Sequence, residues 1–299
     1  MAIGYLFIAL AMVGGTAKAY CGKRTSGLIR TTTDAVYMNT VRMALCIVVG
    51  FAIALWQTGS LSSFALPTVG MAISVLSGVC QAGFVLFWLL SVKTGAYVMV
   101  EVFILLGTIL PIVVCQICFD ETTRPLQWVG YLVLLCAVFL LCSYNNTIKT
   151  KLNAKSYALL FAAGLTNGLS DLSQKLFTRL QPMESKAVYS FYTFLFAAMV
   201  LGIVLFSLRG HGNGAENTVT RNRRLYFYIG VMAAGLFVYN YFKTCAAEIV
   251  PAAEMYPLMQ GISLVITIVM AALLFGERIT WKSALGIALT FAALCMMNL

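Results

Sequence analysis

The sequence predicts an all-α integral membrane protein of ten transmembrane helices, arranged as two inverted five-helix repeats. Three observations predict it. The 299 residues are 61% hydrophobic and only 10% charged, with mean hydropathy +0.90, whereas a soluble domain is about 45–50% apolar and about 25% charged. Ten stretches approach the roughly 20 apolar residues that carry a helix across a bilayer core. A short motif recurs at equivalent points of the two halves of the chain.

The first half holds spans at Ile3–Cys21, Ala35–Trp56, Thr68–Val92, Gly95–Phe119 and Pro125–Tyr144. Within the first, Ala17, Lys18 and Ala19 pass for a signal-peptidase site. No basic region precedes the segment, however, and a counterpart opens the second half, so a retained helix is expected. After a basic linker come Ser156–Phe177, Lys186–Leu208, Leu225–Cys245, Ile249–Phe275 and Thr280–Leu299. The halves are 1–147 and 148–299. Most loops are short, which leaves no room for a separate soluble domain. The longest, from Arg209 to Arg224, is polar and without apolar periodicity, and is expected to be a connector.

Net charge +10 does not indicate nucleic-acid binding, because the basic residues lie between apolar runs and suit anionic headgroups. The nine cysteines mostly fall inside apolar runs and read as buried free thiols. Cys115 and Cys118 are spaced as a CxxC, but no second pair or nearby histidine completes a zinc site. His211, the sole histidine, lies in a polar loop. No metal or cofactor is expected.

Phe119, Glu121 and Gly130 lie between the fourth and fifth spans. Phe275, Glu277 and Gly286 lie in the same register between the ninth and tenth. A weaker echo links Tyr5 and Lys23 with Tyr157 and Lys175. Five is odd, so a second copy enters the membrane from the opposite side, and the repeats are inverted. Such repeats place a substrate site near the midplane between them. Fifteen of the 20 basic residues fall on one side; Arg124, Lys175, Arg179, Lys186 and Lys243 fall on the other. The rich side is expected to be cytoplasmic, which puts both termini of a multi-pass cell-membrane protein outside.

The stretch from Phe275 through Glu277 to Gly286, closing into an apolar final helix, resembles the EamA type of the drug/metabolite transporter superfamily. The length, the ten spans and the duplication resemble it as well. The resemblance implies transport of small organic solutes through a cavity lined by the first, third, fourth, sixth, eighth and ninth helices. It assigns Glu121 and Glu277 to a helix–helix turn, as structural residues. It also implies termini inside, against the charge count.

An ionisable side chain within a span costs about 2.5–3.5 kcal/mol on insertion scales. Lys18, Arg42, Lys175 and Lys243 lie near span ends, where snorkelling to the interface is an alternative explanation. Glu101 on the fourth span and Glu254 on the ninth are expected at opposite depths. Lys18 and Lys93 are available to the first, and Lys243, Lys175 and Asp171 to the second. The two clusters are expected to act as gates or a proton and substrate relay, or as ion pairs that join helices.

Polar and aromatic groups flank these charges at helical spacing. They are Gln81 and Trp88 on the third span, Tyr97 on the fourth, and Asn167 and Asp171 on the sixth. Tyr239 and Asn240 lie on the eighth, and Tyr256 and Gln260 on the ninth. Tyrosine and tryptophan give a cavity an apolar wall with a polar tip, or hold a cation. Gly164 and Gly168 form a GxxxG pattern that favours close helix packing. Pro111 and Pro257 are expected to bend their spans.

The function expected is secondary transport of a small polar metabolite, amino-acid-like, coupled to protons or by exchange. Export of lipophilic cations is the alternative. An intramembrane enzyme would want a catalytic His or Cys arrangement, and a channel a repeated selectivity segment; the sequence offers neither.

Overall fold

A computed structural model describes residues 2–26, 31–93, 103–144, 154–210, 223–275 and 281–298. These residues form helices without a strand. In chain order they are α1 (Ala2–Ser26), α2 (Thr32–Thr58), a short 3-10 turn (Leu61–Phe64), α3 (Thr68–Lys93), α4 (Ile109–Cys118) and α5 (Pro125–Tyr144). Then come α6 (Ala154–Leu180), α7 (Lys186–Gly210), α8 (Arg223–Ile249), α9 (Ala252–Phe275) and α10 (Trp281–Asn298). Ala2–Gly22, Thr32–Thr58, Thr68–Ser91, Lys186–Arg209 and Arg224–Ile249 are long and apolar enough to cross a membrane. Phe103–Cys118, Pro125–Ala137 and Ala284–Ala293 are shorter apolar stretches. Trp56, Ile203 and Phe206 are exposed, as expected of lipid-facing side chains.

Local chemistry sets several boundaries. Thr31 accepts from the Asp34 amide at 3.0 Å, and the Asp34 carboxylate accepts from the Thr31 amide at 3.1 Å. This capping box starts α2 three residues earlier than the apolar pattern alone suggests. Pro251 disfavours helical backbone at Val250, so α8 runs on to Ile249 and α9 begins only at Ala252. The ninth span was expected to open at Ile249. Pro111 has no amide to donate to the Gly107 carbonyl, and the helix of residues 103–118 is interrupted at Thr108, whose amide is shared between the Ile104 and Leu105 carbonyls. After α4, Asp120 takes a left-handed conformation (φ 51°) and the Glu121 amide reaches back to the Cys115 carbonyl. Asp120 thus ends the helix in the left-handed position usually held by glycine.

The chain divides into two compact units, each drawing on both halves of the sequence. The first comprises Met1–Leu86 and Ser173–Glu248, the second Phe87–Leu172 and Ile249–Leu299. In the first, α2 packs along α7. Met43, Cys46, Ala82, Val85, Phe194 and Phe237 form its main core. In the second, α5 packs along α10, and α9 lies against both.

Candidate functional site

In the first unit α1 and α8 approach through glycine. A Cβ on Gly14 would lie 2.6 Å from the Gly235 carbonyl oxygen, and one on Gly235 would lie 2.7 Å from that of Gly14. Only glycine permits such backbone proximity. The approach sets the Tyr239 ring against Gly15 and beneath two ammonium groups. Lys18 Nζ is 4.7 Å from the ring centroid and Lys243 Nζ is 5.4 Å from it. Lys18 is half-buried and Lys243 is buried. Two cations on one quadrupole bind it from both helices, each contact contributing about 0.5–2 kcal/mol as it is desolvated.

The first unit holds further buried polar groups, of which the span-by-span reading named Asn240 and Lys175 and missed Gln174 and Tyr189. Gln174 Nε2 donates to Asn240 Oδ1 at 3.2 Å. Both side chains are buried, and Gln174 Oε1 and Asn240 Nδ2 remain without a partner among the described residues. The buried Tyr189 hydroxyl donates to Ser77 at 2.9 Å and lies 3.3 Å from the Ser173 hydroxyl. Tyr189 stacks on Phe177 at 4.2 Å between centroids. Lys175 is completely buried and donates to the Ala247 carbonyl at 2.9 Å. Ala247 is in the last turn of α8, where carbonyls lack helical partners. Lys175, Lys243 and Arg42 are buried within the protein and do not snorkel. Spacing within α6 gave a signal for Gln174, which follows Asn167 by seven. For Tyr189, near the start of α7, no sequence signal stood out.

In the second unit the Tyr256 hydroxyl donates to the Asp171 carbonyl at 2.7 Å, with both residues buried. This bond ties α9 to α6. Glu254 sits in the first turn of α9, where the helix dipole favours a carboxylate. Glu121 Oε2 accepts from the Ala252 amide at 2.8 Å and thereby caps α9. Replacing Glu121 with alanine is expected to destabilise the protein by about 1–3 kcal/mol, as for a lost charge-assisted bond. Glutamine, which keeps an acceptor, is expected to cost less. Thermal unfolding in detergent ranks the two, and equal values would deny the cap its charge.

Of the residues expected at the site, the first unit brings Lys18, Tyr239, Asn240 and Lys243 together, with Gln81 half-buried on α3. The second joins Asp171 to Tyr256 and carries Trp88, Asn167, Glu254 and Gln260, all half-buried. Tyr97, Glu101 and Glu277 lie outside the described residues, as do the linker 145–153 and the connector 211–222.

Solved protein chains share this fold; 28 match. One, described only as the crystal structure of a protein, has a TM-score of 0.80 at 12% sequence identity, over 99% of this chain and 97% of its own length. At that identity the likeness shows the fold alone. No curated protein sequence matches the chain. Residues 154–299, from the first residue of α6 to the end, match the model of the EamA-like transporter family. Members of that family are multi-pass membrane transporters, and the match places the protein in the drug/metabolite transporter superfamily.

Proposed function

We propose that the protein is a secondary active transporter that carries a small polar organic metabolite, amino-acid-like, by alternating access. The chain is built as the inverted five-helix repeats 1–147 and 148–299, and coupling is to protons or by exchange. The observation that carries the reading is the polar interior of the first unit, where Lys18, Lys243 and Tyr239 cluster within apolar helices. The unpartnered Gln174 and Asn240 atoms offer one acceptor and one donor to a solute. A set of buried polar groups on apolar helices is costly unless it serves a function.

Pairings between helices support the repeat. The second helix packs on the seventh and the fifth on the tenth. Gly14 brings the first helix to the eighth, and the third helix at Gly70 lies near the Phe177 and Gln181 side chains at the end of the sixth. Exchange of the halves turns the first of these helix pairs into the second. The matched family segment, 154–299, begins six residues into the second half. The basic-residue count supports a cell-membrane protein with both termini outside. Export of lipophilic cations is disfavoured by Lys18 and Lys243, which would repel such a solute.

Glu101 and Glu254 are proposed as relay groups for coupling. In proteoliposomes, Glu101→Gln and Glu254→Gln are each expected to remove the dependence of uptake on a pH gradient, with at least a tenfold loss of driven uptake. Full uptake with unchanged pH dependence in both variants would leave them as structural carboxylates.

A further inference from the structure

Arg42 has no part in the reading above. It is the eleventh residue of α2, about 15 Å from the helix start at about 1.5 Å per residue. It is 9% exposed, and its Nε makes no hydrogen bond among the described residues. Cys46, one turn further, is completely buried and donates to the Ala233 carbonyl of α8 at 3.3 Å. Arg42 and Lys18 both act electrostatically on its thiol.

The charges of the first unit are sorted by position. Its described acidic side chains all sit at helix ends. Asp34 belongs to the α2 capping box, Glu184 lies between α6 and α7, and Glu248 precedes the last residue of α8, paired with Lys186 at 3.0 Å. The helix interiors carry Lys18, Arg42, Lys175 and Lys243. A guanidinium cannot shed its proton to escape burial. One held in an apolar interior without a hydrogen bond at Nε lowers stability unless an anion completes it.

We propose that Arg42, with Lys18 as second cation, forms a binding site for an oxyanion, a carboxylate or phosphate group. The planar guanidinium fork matches both groups bidentately, and Lys18, held on the Tyr239 ring, adds a second positive charge to the field at Cys46. Two sources share this chemistry: the acidic end of the transported solute, and the headgroup of an anionic lipid. The first source rests on the transporter reading; the site itself does not.

The test uses the full-length protein purified in neutral detergent, its thermal unfolding followed with sodium phosphate or sodium acetate against sodium chloride of equal ionic strength. A second arm uses phosphatidylcholine bilayers with and without phosphatidylglycerol. In sodium chloride, without an oxyanion, Arg42→Leu is expected to melt about 2–4 °C above the wild type, because an unsatisfied buried charge is removed. Phosphate or acetate is expected to raise the melting temperature of the wild type, Arg42→Lys to keep part of that rise and Arg42→Leu none. A rise with free anions assigns the site to a solute, and a rise only with phosphatidylglycerol assigns it to a lipid. The proposal is overturned if Arg42→Leu melts below the wild type or fails to fold. It is equally overturned if that variant keeps the full rise, or if neither anion nor lipid stabilises the wild type. Labelled-solute uptake in parallel separates the two readings, because solute uptake with no anion effect removes the site and leaves the transporter.

Discussion

Alanine at Gly107, Gly164 or Gly168 is expected to lower the melting temperature by about 3–10 °C, while alanine at Gly202 or Gly230 leaves it unchanged or raises it. In the second unit a Cβ on Gly107 would strike the Gly164 carbonyl, one on Gly164 the Phe103 carbonyl, and one on Gly168 the Gly107 carbonyl. The obstacles are backbone atoms, which cannot rotate aside as a side chain can. Pro111 leaves the Gly107 carbonyl without its usual helical donor, and that oxygen is directed at the Gly168 backbone, a setting for weak Cα–H···O contact. Overpacking of this kind costs about 1–3 kcal/mol. Around Gly202 and Gly230 nothing lies within 4 Å of the added atom, so the better helix propensity of alanine is felt alone. The comparison isolates close packing from propensity, and equal shifts at all five positions would contradict it.

Tyr239→Leu is expected to reduce transport about tenfold to a hundredfold, with Tyr239→Phe close to wild type. The ring carries Lys18 from α1 and Lys243 from α8 on one π-system. Loss of the quadrupole removes about 0.5–2 kcal/mol for each cation, and about 1.4 kcal/mol is a factor of ten. Phenylalanine keeps the quadrupole and loses only the hydroxyl. Saturable uptake at matched amounts of folded protein measures this, and equal losses for Phe and Leu would assign the effect to the hydroxyl. Gly14 and Gly235 hold the arrangement from behind, because their close approach brings α1 against Tyr239.

The helices were legible in the sequence because burial in lipid demands long apolar runs, and those runs fall where the helices are. Boundaries were less legible where a single residue decided them. Pro251 moved Ile249 from the ninth span into α8, and the Thr31–Asp34 capping box lengthened α2. The second shift makes Arg42 the eleventh residue of α2, where the apolar run made it the eighth. A capping signature is visible in the sequence, and it was the available clue. The clustering of Lys18 with Tyr239 and Lys243 was only partly legible. Tyr239 and Lys243 share a helical face by spacing, but Lys18 is more than 200 residues away in sequence and joins them only through the glycine contact. Tyr256 was legible as a polar aromatic on α9. Its partner, the Asp171 main chain, was not, because a backbone acceptor leaves no mark in side-chain pattern.

The central claim, a carrier built around a polar interior, is tested most directly by uptake from a mixture. Proteoliposomes of the wild type and of Lys243→Gln are incubated in an isotope-labelled metabolite extract with an imposed pH gradient, and the lumen is read by mass spectrometry. The account predicts that at least one small polar solute accumulates in the wild-type vesicles, that its uptake saturates and follows the gradient, and that Lys243→Gln loses it. Lumen contents equal to those of protein-free vesicles, or uptake that rises linearly without saturation, would contradict it.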